Sequence, residues 1–271
     1  PLCIYAHDFD KTGSMDPVMT MYIQGEKQIA HSWDDMVKQM NAFRSRFRTY
    51  QPYAKASFEE SFLQSEIDAA YKVCAEWFKS SYIENLGNGK FSIKPLPIES
   101  QISTVFGMLP GDYDQDGNED VLLVGNSYAT EVSSGRLDAS IGLLLRGDGS
   151  GSFTSQSVLK TGFAVDQNAK GLGRLQTSDG RWLIVASVND DKIITHRATS
   201  ESKEYLNPRA DDAFALIKLK NGQRYRHEFY YGSTYLSQSS RRMPIPIDVE
   251  SITVFDFSGQ MRNIILHDFA D

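Results

Sequence analysis

Two short acidic segments contain the residues of this chain that are best suited to chemistry. In the segment 112–120, Asp-Tyr-Asp-Gln-Asp-Gly-Asn-Glu-Asp, carboxylates stand at positions 1, 3, 5 and 9 and glycine stands at position 6. Calcium takes six to eight oxygen ligands, and this spacing wraps carboxylates around one point while Gly117 permits a sharp turn. The segment therefore predicts a calcium site formed by Asp112, Asp114, Asp116, Asn118 through its main-chain carbonyl, and Asp120.

The segment 8–16, Asp-Phe-Asp-Lys-Thr-Gly-Ser-Met-Asp, repeats this pattern in a weaker form. It has three carboxylates, and threonine replaces the position-5 aspartate. The predicted ligands are Asp8, Asp10, Thr12, Ser14 and Asp16. The alternative for both segments is an acidic surface turn without a metal. That alternative is less favoured for 112–120, because four neighbouring carboxylates repel one another unless a cation lies between them.

The two segments differ from EF-hand loops at their C-terminal ends. An EF-hand needs a bidentate glutamate at position 12 and a helix on each side. Position 12 is Leu123 in one segment and Met19 in the other. The residues 121–124 and 18–23 are short apolar runs bounded by turn residues, which is typical of buried strands. Each loop is therefore expected to lead into a β-strand.

Composition excludes several classes of protein. The 271 residues carry a formal net charge of −7 and contain no basic stripe, which argues against nucleic-acid binding. No run of about 18 apolar residues predicts a membrane span. The chain begins Pro-Leu-Cys-Ile-Tyr inside an expected strand, so we interpret it as a fragment or a processed product, and the missing signal peptide is uninformative. Cys3 and Cys74 are interpreted as two buried thiols rather than a disulfide framework.

A longer repeat surrounds the acidic segments. Each is followed by strands and then by a glycine-rich turn that ends in phenylalanine, at 86–91 and at 147–153. A third, degenerate copy is expected at 171–188, where a tight turn at 178–181 replaces the acidic loop. Repeats of several strands predict a mainly β fold built from β-propeller blades, although three blades are too few to close a propeller. Unrelated hairpins in a sandwich are the alternative.

A helical hairpin is expected to interrupt the repeat at residues 32–80. Ser32 and Ser57 are predicted helix N-caps, the second in a capping box. The first predicted helix has an apolar stripe of Trp33, Met36, Val37, Met40, Phe43 and Phe47. The second has a stripe of Phe58, Phe62, Ile67, Ala70, Tyr71, Cys74 and Phe78. These stripes are expected to pack on the blades.

The last part of the chain is expected to be a separate β-rich unit. Strands are predicted at 214–219, 224–231 and 249–257, with a glycine turn at 221–222, another at 258–259 and a polar loop at 235–241. The exposed neighbourhood of Tyr230, Tyr231, Tyr235, Arg241 and Arg242 is the predicted contact surface for a partner.

These patterns resemble a known family of repeat proteins. The loop Asp-x-Asp-x-Asp-Gly-x-x-Asp before a strand resembles the FG-GAP/VCBS repeat, the integrin-like propeller blade. The segment 232–238, Gly-Ser-Thr-Tyr-Leu-Ser-Gln, resembles the core of the ASPIC/UnbV domain. The chain thus looks related to the cartilage acidic protein family, with blades over 1–204 and the ASPIC/UnbV-like unit over 205–271. The resemblance implies the calcium ligands given above and a secreted, surface or periplasmic location, which also suits weak calcium loops.

Signals for an enzyme are few. His7, His31, His196, His227 and His267 show no metal-ligand spacing, and no nucleophile elbow is present. The acidic pairs 190–191 and 211–212 are interpreted as solvated loop acids rather than a glycosidase pair. The sequence therefore favours a calcium-stabilised, non-enzymatic binding or adhesion module with a protein or glycan ligand. The alternatives are a propeller-based enzyme acting on extracellular polysaccharide, with its active site on the propeller face or in missing blades, and a purely structural domain.

Overall fold

A computed structural model describes residues 1–132, 134–177, 181–198, 204–246 and 248–265. The chain is mainly β, as predicted, and forms several sheets, none of which closes on itself. It divides into two compact units, residues 1–78 and 79–271. The expected division at 204/205 follows the sequence resemblance rather than compactness, and it stays a prediction. Within the described ranges, no helix is long and apolar enough to cross a membrane.

The first unit is built on a four-stranded antiparallel sheet. Its strands are β1 (Leu2–His7), β2 (Asp16–Ile23), β3 (Glu26–Ile29) and β4 (Tyr71–Ala75), in the order β3-β2-β1-β4. Along β1, Cys3 and Tyr5 are buried while their neighbours are less so, because successive side chains of a strand point to opposite faces. Val18 and Thr20 of β2 are buried on the same principle.

Between β3 and β4 the chain forms five short helices, so the predicted hairpin of two long helices is wrong. They are α1 (Trp33–Gln39), α2 (Phe43–Arg46), α3 (Tyr50–Lys55), α4 (Phe58–Ser61) and α5 (Gln64–Ala69). The predicted caps are confirmed: the Ser32 hydroxyl accepts from the N–H of Asp35, and Ser57 and Glu60 form a capping box. Met40 ends α1 in an extended conformation, which is why the stripe does not continue as one helix.

The apolar stripe of the first predicted helix is nevertheless buried. Met36, Met40, Phe43 and Phe47 join Phe58 and other side chains in one core with the sheet. The second stripe holds only in part, since Tyr71 and Phe78 are 69% and 67% exposed. Residues 71–75, which include Tyr71, form the edge strand β4 rather than a helix.

A disulfide bond joins Cys3 and Cys74, so the prediction of two free thiols is wrong. Strand β4 pairs with β1 in a register that places Cys3 directly opposite Cys74. This cross-strand pairing links residues 71 apart in the chain, and the spacing of the two cysteines gives no local signal of it. The bond ties the end of the helical segment to the first strand.

The second unit begins with the hairpin β5 (Ser81–Gly87) and β6 (Lys90–Pro95), followed by a turn of 3-10 helix at Ile98–Ser100. A four-stranded antiparallel meander follows, with strands β7 (Val105–Gly111), β8 (Asp120–Gly125), β9 (Leu143–Gly147) and β10 (Phe153–Gln156). The glycine-rich turns predicted at 86–91 and 147–153 therefore join β5 to β6 and β9 to β10. Both hairpins belong to the second unit, so the turn at 86–91 does not complete the sheet of the first acidic loop.

The helix α6 (Val158–Thr161) leads to a three-stranded sheet. It consists of β11 (Ala169–Gln176), β12 (Trp182–Val188) and β13 (Ile194–Arg197), in that order. The strand pair of the predicted third copy is thus present as β11 and β12. Its predicted tight turn, apart from Arg181, lies outside the described residues.

The C-terminal strands form a four-stranded antiparallel sheet and a small two-stranded one. They are β14 (Tyr205–Leu206), β15 (Asp212–Leu219), β16 (Arg224–Glu228), β17 (Met243–Pro244), β18 (Val249–Asp256) and β19 (Met261–Ile264). The large sheet has the order β16-β15-β18-β19, and β14 pairs with β17. The inner face of the large sheet is buried and carries Ala215, Ile217, Ile252 and Val254. The three strands predicted for this region are confirmed.

The loop after β16 connects the C-terminal strands to the other sheets of this unit. The hydroxyls of Ser237 and Ser239 accept hydrogen bonds of 3.0 Å from the N–H groups of Leu172 and Arg174 on the edge strand β11. The Thr234 hydroxyl accepts one of 3.3 Å from the N–H of Met108 in β7. Two serine hydroxyls thus accept from two backbone N–H groups at the edge of the sheet, which have no partner strand there among the described residues.

A buried ion pair holds the C-terminal sheet. The Asp212 side chain is inaccessible to solvent and bonds to the guanidinium of Arg262, with 2.5 Å between Nη2 and Oδ2. Its Oδ2 also accepts from the N–H of Arg209 at 2.6 Å. Burial by itself would raise the pKa of Asp212, but the hydrogen bonds from Arg262 and from the N–H of Arg209, together with the positive charge of both arginines, outweigh burial and lower the pKa. The prediction of a solvated loop acid is wrong for this residue.

Replacing both cysteines by serine is expected to lower the free energy of unfolding. The chain-entropy model gives about 4 kcal/mol for a loop of this length. Thermal unfolding of parent and double variant under non-reducing conditions measures the difference. A reductant should bring the parent to the level of the variant and leave the variant unchanged. Equal melting temperatures, with two titratable thiols in the parent, would contradict the bond.

Arg262→Met is expected to destabilise the protein by about 3 kcal/mol at neutral pH, because it leaves a buried carboxylate without a partner. Since the pKa of Asp212 is lowered in the folded state, the pair's contribution is present above the unfolded pKa and is lost as pH falls through the folded one. Urea unfolding should therefore show that the difference in unfolding free energy between parent and variant becomes smaller from pH 7 to pH 3. Lys218→Met, which removes a surface partner of Glu250, is the matched control and should change little. A pH-independent difference would refute this role of the pair.

Candidate metal centres

Each acidic loop joins two antiparallel strands at their paired ends. The first runs from β1 to β2, where His7 is paired with Asp16. The second runs from β7 to β8, where Gly111 is paired with Asp120. Both loops therefore start and finish at adjacent points of a sheet, and the position-9 aspartate is already the first residue of the next strand. The expectation that each loop leads into a strand is confirmed.

The two loops have the same backbone conformation at their sharpest points. At position 4, Lys11 and Gln115 have φ angles of 60° and 63°. At position 6, Gly13 and Gly117 have φ angles of 86° and 87°. Left-handed conformations are uncommon for residues other than glycine, so their recurrence at the same two positions is a specific property of the loop. The glycine predicted to permit the turn has this role in both copies.

The position-1 aspartate organises the turn through backbone N–H groups. In the first loop, Asp8 accepts from the N–H of Thr12 and of Gly13, both at 2.9 Å. In the second loop, Asp112 accepts from the N–H of Asp116 at 3.2 Å and of Gly117 at 3.0 Å. The position-3 aspartates, Asp10 and Asp114, also accept from the position-5 N–H, which belongs to Thr12 and Asp116 respectively. The backbone therefore turns the carboxylates toward one centre.

The position-9 aspartate closes the loop from the protein side. Asp16 and Asp120 are buried, and the Oδ2 of each accepts from the N–H of position 2, Phe9 or Tyr113, at 3.0 Å. Burial raises the pKa of both carboxyls, while these backbone bonds act in the opposite direction. The Oδ1 of Asp120 also accepts from the N–H of Gly147 at 3.0 Å, which joins the loop to β9.

Three carboxylates converge in each loop. One ligand oxygen from each of Asp8, Asp10 and Asp16 lies within 4.8 Å of the others, and the same is true of Asp112, Asp114 and Asp116. The convergent set of the second loop thus comprises positions 1, 3 and 5, and it does not include Asp120. Both oxygens of Asp120 accept backbone hydrogen bonds, so this residue has a structural role in the loop, and its role as a calcium ligand stays a prediction.

The remaining predicted ligands lie around these carboxylates. Thr12 and Ser14 are exposed in the first loop, at positions 5 and 7. Asn118 donates its N–H to Asp116 at 2.9 Å. The predicted ligand atoms of the two loops are oxygens of carboxylates, hydroxyls and a main-chain carbonyl. Such a set fits a hard divalent cation and lacks the nitrogen and sulfur ligands that zinc or copper favour.

Arg146 contacts the second acidic loop, and the sequence analysis missed it. It lies on β9, and its guanidinium contacts Asp114 and Asp116, with 2.6 Å between Nη2 and the Oδ2 of Asp116. The pKa of Asp116 is lowered, first by the N–H of Asn118 and then by Arg146. Within the described ranges, Asp8 and Asp10 form no such ion pair. The available signal was a lone charged residue in the apolar run Leu143-Leu144-Leu145-Arg146.

Three of the candidate histidines have defined surroundings in the structure. His31 accepts from the N–H of Met19, and His196 contacts the carbonyl of Ala164, so both have local backbone partners. Burial lowers the pKa of His227 to about 4, which keeps it neutral at physiological pH. His267 lies outside the described residues.

Comparison with known proteins does not assign the chain to a family. No protein-family model matches it, and no curated protein matches it significantly. The resemblance to FG-GAP/VCBS repeats and to the ASPIC/UnbV domain therefore rests on the motifs themselves.

Asp120→Asn is expected to destabilise the protein in the presence of a chelator by about 1–3 kcal/mol. The amide presents a donor to one of the two backbone N–H groups and leaves it unsatisfied in a buried position. Urea unfolding in EDTA measures this effect. Asp114→Asn, at an exposed position of the same loop, is the matched control and should change little. Equal destabilisation by the two variants would show that position 9 has no special structural role.

Proposed function

We propose that both acidic loops bind calcium, and that this chain is a calcium-stabilised binding or adhesion module of a secreted, surface or periplasmic protein. One observation carries the proposal. Two loops 104 positions apart along the chain, in separate compact units, share their left-handed positions, their position-1 hydrogen bonds and their closing aspartate. A chance acidic turn would not be expected to recur with the same internal geometry.

Calcium would supply the positive charge that each cluster needs. In the first loop, three carboxylates converge without a basic partner among the described residues, so a cation would remove their mutual repulsion. In the second loop, Arg146 balances part of the charge of Asp114 and Asp116. In both loops, backbone N–H groups fix the position-1 carboxylate before any ion arrives.

The disulfide supports an extracytoplasmic location. Disulfide bonds persist in oxidising compartments and are rare in the cytosol. The bond between Cys3 and Cys74 lies in the same sheet as the first acidic loop. Calcium sites of modest affinity also suit the millimolar calcium found outside cells.

The arrangement of strands supports a blade-like scaffold. The meander β7 to β10 carries the second loop between its first two strands, as the FG-GAP/VCBS resemblance implies. The segment that resembles the ASPIC/UnbV core includes Thr234 and Ser237, which bond to β7 and β11. We infer that this core serves to join the tail to the blades.

A polysaccharide-cleaving enzyme is the less favoured function. Of the acidic pair 211–212, Asp212 is occupied by Arg262 and by the N–H of Arg209 inside the protein. A general acid or base must reach the substrate, so this carboxylate is not suited to the role. The contacts of Asp212 therefore support a structural rather than a catalytic interpretation of this residue.

The proposal predicts that calcium raises the melting temperature relative to EDTA. At a concentration of about 100 times its dissociation constant, one ion adds roughly 2.7 kcal/mol to the stability of the folded state. Asp114→Ala should reduce this gain and change little in EDTA, because Asp114 is exposed and its pair with Arg146 is a surface pair. Differential scanning calorimetry of parent and variant in both conditions measures the effect.

The matched control is Asp138→Ala, which removes an exposed carboxylate outside both loops. It should respond to calcium as the parent does. Melting temperatures of the parent that are equal in calcium and in EDTA would count against both sites. A parent response that Asp114→Ala leaves intact would confine calcium to the first loop.

A further inference from the structure

A cleft of about 570 Å³ opens on the C-terminal sheet. It lies at the end of β15, β16 and β18, in the second compact unit. Its walls combine aromatic rings with charged side chains: Phe214, Tyr230, Tyr231 and Phe257 provide the rings, and Arg226, Glu228 and Asp256 the charges. Only part of this cleft coincides with the contact surface predicted from the sequence, which included Tyr230 and Tyr231.

Strand alternation explains why aromatic rings remain outside the core. The inner face of β15 carries the buried residues Ala215 and Ile217, so Phe214 lies on the opposite face. Phe214 is directly opposite Phe255 of β18, and the two rings stack with centroids 4.8 Å apart and planes 10° apart. The outer face of the sheet therefore has a rigid aromatic floor at this end.

Three more rings surround this floor and are accessible to solvent. Tyr230 and Tyr231 are each 61% exposed, and Phe257 is 69% exposed. Tyr231 is fixed, because its hydroxyl donates to the carbonyl of Ala210 at 2.9 Å and accepts from Arg241 at 2.7 Å. Together with Phe214, these rings come from three segments of the chain, so the surface is built by the fold rather than by one local run.

The polar side chains of the cleft are also held in place. The guanidinium of Arg226 lies 3.6 Å from the ring centroid of Phe214, and its Nε is 2.5 Å from the Oε1 of Glu228. The Oδ1 of Asp256 accepts from the N–H groups of Ser258 and Gln260 at 2.8 and 2.9 Å. Hydrogen bonding by the Ser258 hydroxyl keeps the pKa of Asp256 below its ordinary range, so it is an ionised acceptor at neutral pH.

This balance of charges excludes several ligand classes. An anion would meet Glu228 and Asp256, and the one guanidinium among the lining residues is already neutralised by Glu228. A cation seeking the face of Phe214 would find Arg226 there. A wholly apolar group would desolvate two carboxylates and a guanidinium without replacing their hydrogen bonds with water. A neutral ligand with both apolar faces and many hydroxyls avoids all three costs.

We propose that this cleft binds a neutral saccharide. The C–H faces of pyranose rings would pack on Tyr230, on Phe257 and on the face of Tyr231 that is opposite the Arg241 guanidinium, and these rings offer large apolar surfaces at low entropic cost. Sugar hydroxyls would donate to the carboxylates of Glu228 and Asp256 and accept from Arg226, since carboxylates only accept and guanidinium only donates. The inference rests on the proposed function of a binding module and names its ligand class, but it does not require a metal at the acidic loops.

Native affinity electrophoresis of the full chain tests this proposal. The gels contain one of five soluble neutral polysaccharides: xylan, galactomannan, mixed-linkage β-glucan, hydroxyethylcellulose or dextran. We expect at least one to retard the parent. Phe257→Ala and Tyr230→Ala should each weaken that retardation about tenfold, the equivalent of losing one stacked ring. Both side chains are mostly exposed, so the variants should keep the melting temperature of the parent.

Met261→Ala is the matched control, because Met261 is 71% exposed on the same sheet and does not line the cleft. It should bind as the parent does. Retardation by none of the five polysaccharides overturns the proposal, as does retardation that survives both aromatic variants. Retardation by heparin alone would indicate an anion site and would also overturn it.

A parallel calcium titration by calorimetry separates the two proposals. If calcium binds and no polysaccharide does, only the saccharide inference fails. If a polysaccharide binds and calcium does not, the saccharide proposal is supported and the metal proposal fails.

Discussion

The buried aspartate at position 9 is the constraint on which each acidic loop depends. Asp16 and Asp120 hold the second residue of their loop against the beginning of the following strand. This bond forces the intervening residues into a compact turn with two left-handed positions. The convergence of the other carboxylates follows from that turn, because their oxygens are then fixed by the backbone N–H groups inside it. An extended loop with the same sequence would place the carboxylates too far apart to share one cation.

The recurrence of this arrangement shows how local the determinant is. The first loop lies in a sheet that packs against short helices and has a disulfide between β1 and β4, whereas the second lies in a meander without a disulfide. Their surroundings differ in almost every other respect, including the ion pair that only the second forms with Arg146. The common geometry therefore arises within nine residues. Because only the second loop pairs with Arg146, a cation would encounter a different local charge in each loop.

The sequence predicted what is local and missed what is long-range. Local features were predictable, because turns and apolar alternation depend on residues that are close together in the sequence. They include the acidic loops, the Asn88-Gly89 hairpin and the strands around Ala215. The pairing of Cys3 with Cys74 was not, since it depends on β4 reaching β1 across a helical segment. That segment itself was misjudged because a 3.6-residue apolar period extends past Met40, where the backbone becomes extended. The contact of Arg146 with the second loop and the cleft around Phe257 likewise depend on which strands become neighbours.

The two proposed functions lie in different places on one scaffold. Calcium in the acidic loops would stabilise the ends of two sheets, and the C-terminal sheet would present a recognition surface. The most direct test of the central claim is a crystal structure grown in calcium, with anomalous data to identify the ions. We predict one peak in each loop, surrounded by six to eight oxygens at about 2.3–2.6 Å, including those of Asp8, Asp10 and Asp16 or of Asp112, Asp114 and Asp116. Well-ordered loops with no peak in either, and with Arg146 still bonded to Asp114 and Asp116, would contradict the claim.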